Sequence, residues 1–164
     1  MPADEFVWEP GDQAKLELLC PKFAGLVTQL GEMMNLAGQP VRIIDAVRSW
    51  KRQEALWEQG RMVGGPIVTD ARPGASWHEF GLACDLGICS LLSQPGWDPG
   101  NPLWEKMGNM GKTLGVFWGG DFQHNPDRPH FQLTGCFPIS PDDEVRQIFL
   151  DQGMSAVWQA AGLV

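Results

Sequence analysis

The chain has 164 residues, 43% of them hydrophobic and 20% charged, which excludes intrinsic disorder and suits a single domain, 1–164. Twenty acidic residues against twelve Lys and Arg give a formal charge of -8. That balance excludes the clustered cations that a phosphate backbone demands, so nucleic acid is not an expected partner.

In chain order, the acidic start MPADEFVWEPGDQ lacks the basic-then-apolar pattern of a signal peptide, and the expectation is synthesis in the cytoplasm without a secretion signal. No apolar run approaches the roughly 18 residues that would cross a bilayer. Phe23, Leu26, Val27, Leu30, Met33 and Met34 recur at helical spacing and predict an amphipathic helix from Pro21 to about Ala37, stopped by Gly38. Val41 to Val47 (VRIIDAV) reads as a strand that feeds, through Arg48 and Ser49, a helix from Trp50 to Gln59.

Arg61 to Ser76 is rich in Gly and Pro and predicts a long functional loop. Leu82 to Ile88 predicts a strand, and Asn101-Pro102 a capped helix ending near Gly115. Val116 to Trp118 and His130 to Thr134 predict two further strands around the turn-rich WGGDFQHNPDRP. Ser140-Pro141-Asp142-Asp143 opens a C-terminal helix whose early acids suit its dipole. Cys20, Cys84, Cys89 and Cys136 form no CxxC pair, which leaves them as free thiols.

The chemistry concentrates in SWHEFGLACDLG, Ser76 to Gly87. Strand alternation puts Asp85 on a face with only Ala83 and Gly87 beside it, with Leu82, Cys84 and Leu86 opposite. His130 opens the later strand, and if the two strands pair, His78, Asp85 and His130 supply three ligands of a tetrahedral Zn²⁺ with a fourth place open. HEFGL is not the HExxH helix: Leu82 stands where its second His belongs and Gly81 breaks the helix, so Glu79 is not the general base. Asp127, three residues before His130 and stiffened by Pro129, can accept a proton from an attacking water.

SWHEFGLACD resembles the S-x-H-x-x-G-x-A-x-D motif of the VanY-type D-alanyl-D-alanine carboxypeptidases and of the related L-alanyl-D-glutamate endopeptidases of phage endolysins, and DRPHFQ resembles the second half of that signature. The resemblance runs from about Leu19 to Leu133, and ARPGASWHEFGLACDL with WGGDF look closest to the endopeptidase branch. It implies an α+β fold, a small antiparallel sheet flanked by helices as in the hedgehog and DD-peptidase folds, with peptidoglycan stem peptide as substrate and Zn²⁺ as cofactor. It places the metal on His78, Asp85 and His130 and the base on Asp127. An early Arg, Ser and Gln of the pattern match Arg48, Ser49 and Gln53, while Cys84 stands where the family pattern leads us to expect an apolar residue.

Arg48 is either a surface charge paired with Asp45 or Glu54, or a group that grips a substrate carboxylate or a developing oxyanion, and the second is the expectation. Ser76 either supports its loop or, with Arg48 and Gln53, binds substrate. Asp121 either orients an imidazole or caps a turn. His124 reads as a solvated loop residue, Trp50, Trp57 and Trp104 as packing, and Trp77 as a pocket wall. Three functions follow: an L-alanyl-D-glutamate endopeptidase, which is the expectation, a D-alanyl-D-alanine carboxypeptidase, or a non-catalytic zinc-binding interaction module of hedgehog-like fold. In the first two cases the protein reaches the cell wall by lysis or another export route.

Overall fold

The computed structural model describes residues 5–164, so the first four residues of the acidic start lie outside the described residues. The sequence opens on a helix that periodicity did not announce, α1 (Pro10–Leu16), with proline at its first turn. It is held by a buried acid: Asp12, 1% exposed, accepts from the Arg42 guanidinium and from the Ile43 N–H at 3.2 Å. α2 (Pro21–Leu36) follows, and its buried Phe23, Val27, Leu30 and Met34 form the stripe that its 3.6-residue period requires.

Among the described residues, four strands make one antiparallel sheet: β1 (Val41–Asp45), β2 (Ala83–Ile88), β3 (Phe117–Trp118) and β4 (His130–Gln132), in the order β1-β2-β4-β3. Cys84, Leu86 and Ile88 of β2 are fully buried with Ile43 and Phe131 in the hydrophobic core, while Asp85 points the other way. Cys84 is thus a core thiol, which suits a small polarisable side chain.

Around the sheet lie α3 (Trp50–Glu58), α4 (Pro102–Thr113), α5 (Asp143–Gln152) and α6 (Met154–Ala160). Ser49 caps α3, its Oγ accepting from the Arg52 N–H at 3.1 Å, and Asn101 caps α4 through the Leu103 N–H at 3.0 Å. The single C-terminal helix expected from residue 140 onward is two, because Gly153 takes φ 88° and ends the first. The strands are also shorter than their apolar runs: pairing stops at Asp45 and at Gln132, where the chain leaves the sheet. The fold is α+β, and among the described residues no helix is long and apolar enough to cross a membrane.

Candidate metal centre

The sheet register brings the site together. Asp45 pairs with Asp85 and Asp85 with His130, so three polar residues from β1, β2 and β4 stand in one row across the sheet. A register shift between Ile43 and Asp45 re-aims the end of β1 toward this row, a common use of an irregularity beside a site.

His78 arrives by a different route. Trp77 to Phe80 form a short 3-10 turn with Ser76 as its cap, and Gly81 closes it at φ 70° before the chain enters β2. Glu79, 1% exposed, faces away from the metal cluster and accepts from the N–H of Gly74 at 2.8 Å and of Ser76 at 3.1 Å. It clamps the loop that delivers His78.

Burial pushes the Glu79 carboxyl above its ordinary value, against the pull of those two N–H groups. The folded state therefore binds its proton more tightly than the unfolded chain, and the contribution of that proton to stability is lost as pH rises through the raised value. Glu79→Ala is expected to destabilise the protein by about 2–4 kcal/mol, because two buried donors lose their acceptor. Glu79→Gln, which keeps one acceptor oxygen, should cost distinctly less; equal denaturant midpoints for the two variants would refute the clamp.

Three ligand atoms of His78, Asp85 and His130 lie within 4.8 Å of one another. The Asp85 Oδ1 atom is 3.2 Å from His78 Nε2 and 3.4 Å from His130 Nδ1. The outer nitrogens of both rings are already committed: His78 Nδ1 donates to the Ala46 carbonyl at 2.7 Å, and His130 Nε2 to the Gln132 Oε1 at 2.8 Å. Gln132 is itself oriented, since its Nε2 donates to the Ile139 carbonyl at 2.9 Å.

With those tautomers fixed, the two inner nitrogens and Asp85 Oδ1 all present lone pairs to one point. Asp85 Oδ1 is buried and has no hydrogen-bond donor of its own. Three acceptors facing each other repel unless a cation lies between them, so the donor set fits a metal ion. In the metal-free chain a proton does this work. Burial draws the His130 imidazolium down, but the Asp85 carboxylate beside it and the charge of Asp127 outweigh that and hold it above its ordinary value. Burial opposes the Asp85 carboxylate too, yet the two imidazoles that face it, His78 foremost, keep it well below the usual range.

Arg48 stands differently from its expected substrate-gripping role. Its guanidinium pairs with Asp45, donates to Asp85 Oδ2 at 3.1 Å and donates to Gln53 Oε1 at 3.2 Å. It therefore holds the ligand carboxylate so that Oδ1 faces the histidines. Gln53 is corrected as a substrate contact: it is fully buried, and its Nε2 donates to the Ala71 carbonyl at 2.8 Å, tying the long loop to Arg48. Ser76 lines the cleft, but its hydroxyl accepts from the His78 N–H at 3.4 Å and works as the cap, the loop-supporting alternative. Asp121 pairs with Lys112 at 3.0 Å on the surface, and the orienting of imidazoles falls to Gln132 and the Ala46 carbonyl.

The cluster opens into a cleft of about 1130 Å³ whose rims are the loop after α3 and the loop between β3 and β4. Trp77 reaches the wall while 98% buried, its Nε1 donating to the Ile139 carbonyl at 3.0 Å; Trp97 and Phe122, which the sequence did not single out, line the cleft too, as does the exposed His124, read from the sequence only as a solvated loop residue. Asn125 donates to Asp70 from one rim to the other.

Asp127 is exposed at this mouth, and desolvation by the cleft walls together with the charge of Asp85 moves its carboxyl above the ordinary value. Its backbone is pinned by two bonds: its N–H donates to the Gly119 carbonyl at 2.9 Å, and its own carbonyl accepts from the His130 N–H at 3.3 Å. Gly119 permits that approach, since a Cβ there would meet the Asp127 carbonyl and lie 2.8 Å from His130 Cβ. Gly119→Ala is expected to shift Asp127 and His130 and lower kcat/KM by about 100-fold, the usual cost of an ångström of misplacement. A variant with native turnover would show that the loop yields elsewhere.

The family described as D-alanyl-D-alanine carboxypeptidase matches residues 69–133. The chain is 38% identical over 103 residues, 58% of its own length, to the peptidoglycan L-alanyl-D-glutamate endopeptidase CwlK of Bacillus subtilis, and that match spans 62% of the relative. Over 51 residues it is 39% identical to the bifunctional D-Ala-D-Ala dipeptidase and carboxypeptidase VanXYC of Enterococcus gallinarum, covering 29% of this chain and 27% of that one. Among solved structures, the L-Ala D-Glu endopeptidase ChiX of Serratia marcescens superposes with a TM-score of 0.56 at 19% identity, over 80% of this chain and 92% of that one. A vancomycin-resistance D,D-pentapeptidase VanY variant in complex with Zn(II) does so with a TM-score of 0.54 at 16% identity, over 83% and 80%. At those identities the superpositions establish the fold. Residues 69–133, which carry His78, Asp85, Asp127 and His130 together, are the part of the chain that is similar to the family described as D-alanyl-D-alanine carboxypeptidase.

Proposed function

We propose that the chain is a zinc-dependent peptidase that hydrolyses peptidoglycan stem peptides between L-alanine and D-glutamate. The observation that carries this reading is the convergence of three ligand atoms, one an orphaned buried oxygen of Asp85, beside Asp127 in an open cleft. His78, Asp85 and His130 would hold the ion, which when bound supplies a Lewis acid that polarises a carbonyl and acidifies water.

The protein's own groups do the rest. Asp127 takes the proton of the attacking water and returns it to the leaving amine, a cycle that its raised carboxyl suits. Arg48 keeps Asp85 turned toward the histidines, and Gln132 and the Ala46 carbonyl fix the two tautomers. Because Arg48 is committed to Asp45 and Asp85, it is not free to grip the terminal carboxylate of a D-Ala-D-Ala substrate. That observation, with the likeness to CwlK, favours the endopeptidase over the carboxypeptidase.

Product analysis of purified peptidoglycan digested with and without a chelator tests the reading. The expected result is new L-Ala carboxyl and D-Glu amino ends that vanish with chelator and return with zinc. Release of D-Ala alone would make the protein a carboxypeptidase. Stoichiometric zinc with no cleavage at any pH would make it a non-catalytic zinc-binding module.

A further inference from the structure

Two arginines face the cleft, Arg48 and Arg52. The first is surrounded by acceptors, whereas Arg52 is exposed, and among the described residues its guanidinium has neither an ion-pair partner nor a hydrogen bond. Its freedom is not for lack of nearby acids, since Asp45 and Asp70 line the same cleft. Asp45 is taken by Arg48, and Asp70 accepts from Asn125 and lies 3.9 Å from Arg61.

The base that carries Arg52 is fixed. Its N–H is bonded to the Ser49 cap, and the next residue, Gln53, is fully buried and tied to Arg48 and Ala71. One turn further along α3, Leu56 also faces the cleft, opposite the loop residues Ile67 and Val68. The wall beyond the metal cluster thus pairs one uncommitted guanidinium with an apolar strip, the kind of surface that selects an anionic group on an extended peptide.

The chemistry of the proposed bond supplies such a group. A glutamyl residue has two carboxyls; when one continues the peptide, the other remains on the residue that follows the scissile bond, free or as a carboxamide. We infer that Arg52 is a specificity-determining residue that recognises this free carboxylate and disfavours the amidated form. The inference rests on the endopeptidase reading given above.

The test uses the zinc-loaded protein and two stem peptides, identical except that the D-glutamyl residue carries a free carboxylate in one and a carboxamide in the other. The wild-type protein is expected to favour the acid, in kcat/KM, by about 10- to 100-fold, the range of a charge-assisted hydrogen bond. Arg52→Gln should bring the ratio close to one, mainly through KM, and Arg52→Lys should keep part of it; zinc content and melting temperature certify that both variants are folded. A ratio unchanged by Arg52→Gln, with both peptides cut after L-Ala, overturns the inference and leaves the endopeptidase standing. If neither peptide is cut by the wild-type protein, the endopeptidase reading falls and the inference falls with it.

Discussion

Asp127→Asn is expected to lower kcat for stem-peptide cleavage by about 10²- to 10⁴-fold, the range attributed to one positioned general base, while zinc content stays at the wild-type level. The two side chains have the same shape, and the backbone bonds of residue 127 to Gly119 and His130 do not involve the carboxyl, so the loop has no reason to move. What is lost is the ability to accept a proton. The same assignment fixes a sign in the pH profile. The base works ionised, so the rate falls as pH drops through the Asp127 value, and the residual activity of the variant lacks that acid limb. Desolvation and the charge of Asp85 push the limb upward, and a bound dication draws it back. A fully zinc-loaded Asp127→Asn protein that digests cell walls at the native rate would place the base elsewhere.

The parts of this site that were legible in the sequence are those in which one residue type can do only one thing in its context. A His and an Asp seven positions apart across Gly81, beside and within an otherwise apolar strand, need compensation, and a second His at the mouth of another strand offers it. The groups that orient them were not legible. One is a backbone carbonyl, Ala46, which no side-chain pattern encodes, and the other, Gln132, alternates with His130 as any polar strand residue does.

Arg48 and Ser76 line the cleft and Gln53 bonds to Arg48, but the roles first given them looked toward substrate where their bonds run inward. A sequence places residues along the chain but does not count acceptors around a guanidinium, and here Asp45, Asp85 and Gln53 engage Arg48 before any ligand arrives. α1 escaped notice for a related reason. Its seven residues are too few for a periodic signal, and it is held by the buried Asp12 acting on Arg42 and Ile43, a contact thirty residues distant.

The balance of charges in the metal-free cluster leads to a second large effect. His130 is raised, so the stability it contributes is complete below its unfolded value, about 6.5, and is lost as pH rises through the higher folded one. Asp85 is lowered, so its contribution is present above its unfolded value, about 3.9, and is lost as pH falls through the lower folded one. The metal-free cluster is therefore most at ease in mild acid, with the carboxylate ionised and a proton on imidazole, and least so at mildly alkaline pH, where three lone pairs meet without a cation. Binding of the proposed zinc would reverse that order, because the ion must displace the proton. Zinc at roughly 1,000 times its dissociation constant adds about 4 kcal/mol, or about 8–16 °C in Tm for a domain of this size. We expect an increment of that order at pH 8 and a much smaller one at pH 5.5 at the same total zinc. Asp85→Ala should abolish most of it at both, since losing a ligand costs more than the roughly 10- to 100-fold that outer-shell changes cost. Melting curves with and without zinc decide the matter. An increment that survives in Asp85→Ala, or that grows toward acid, would mean that the ion binds somewhere other than between His78, Asp85 and His130.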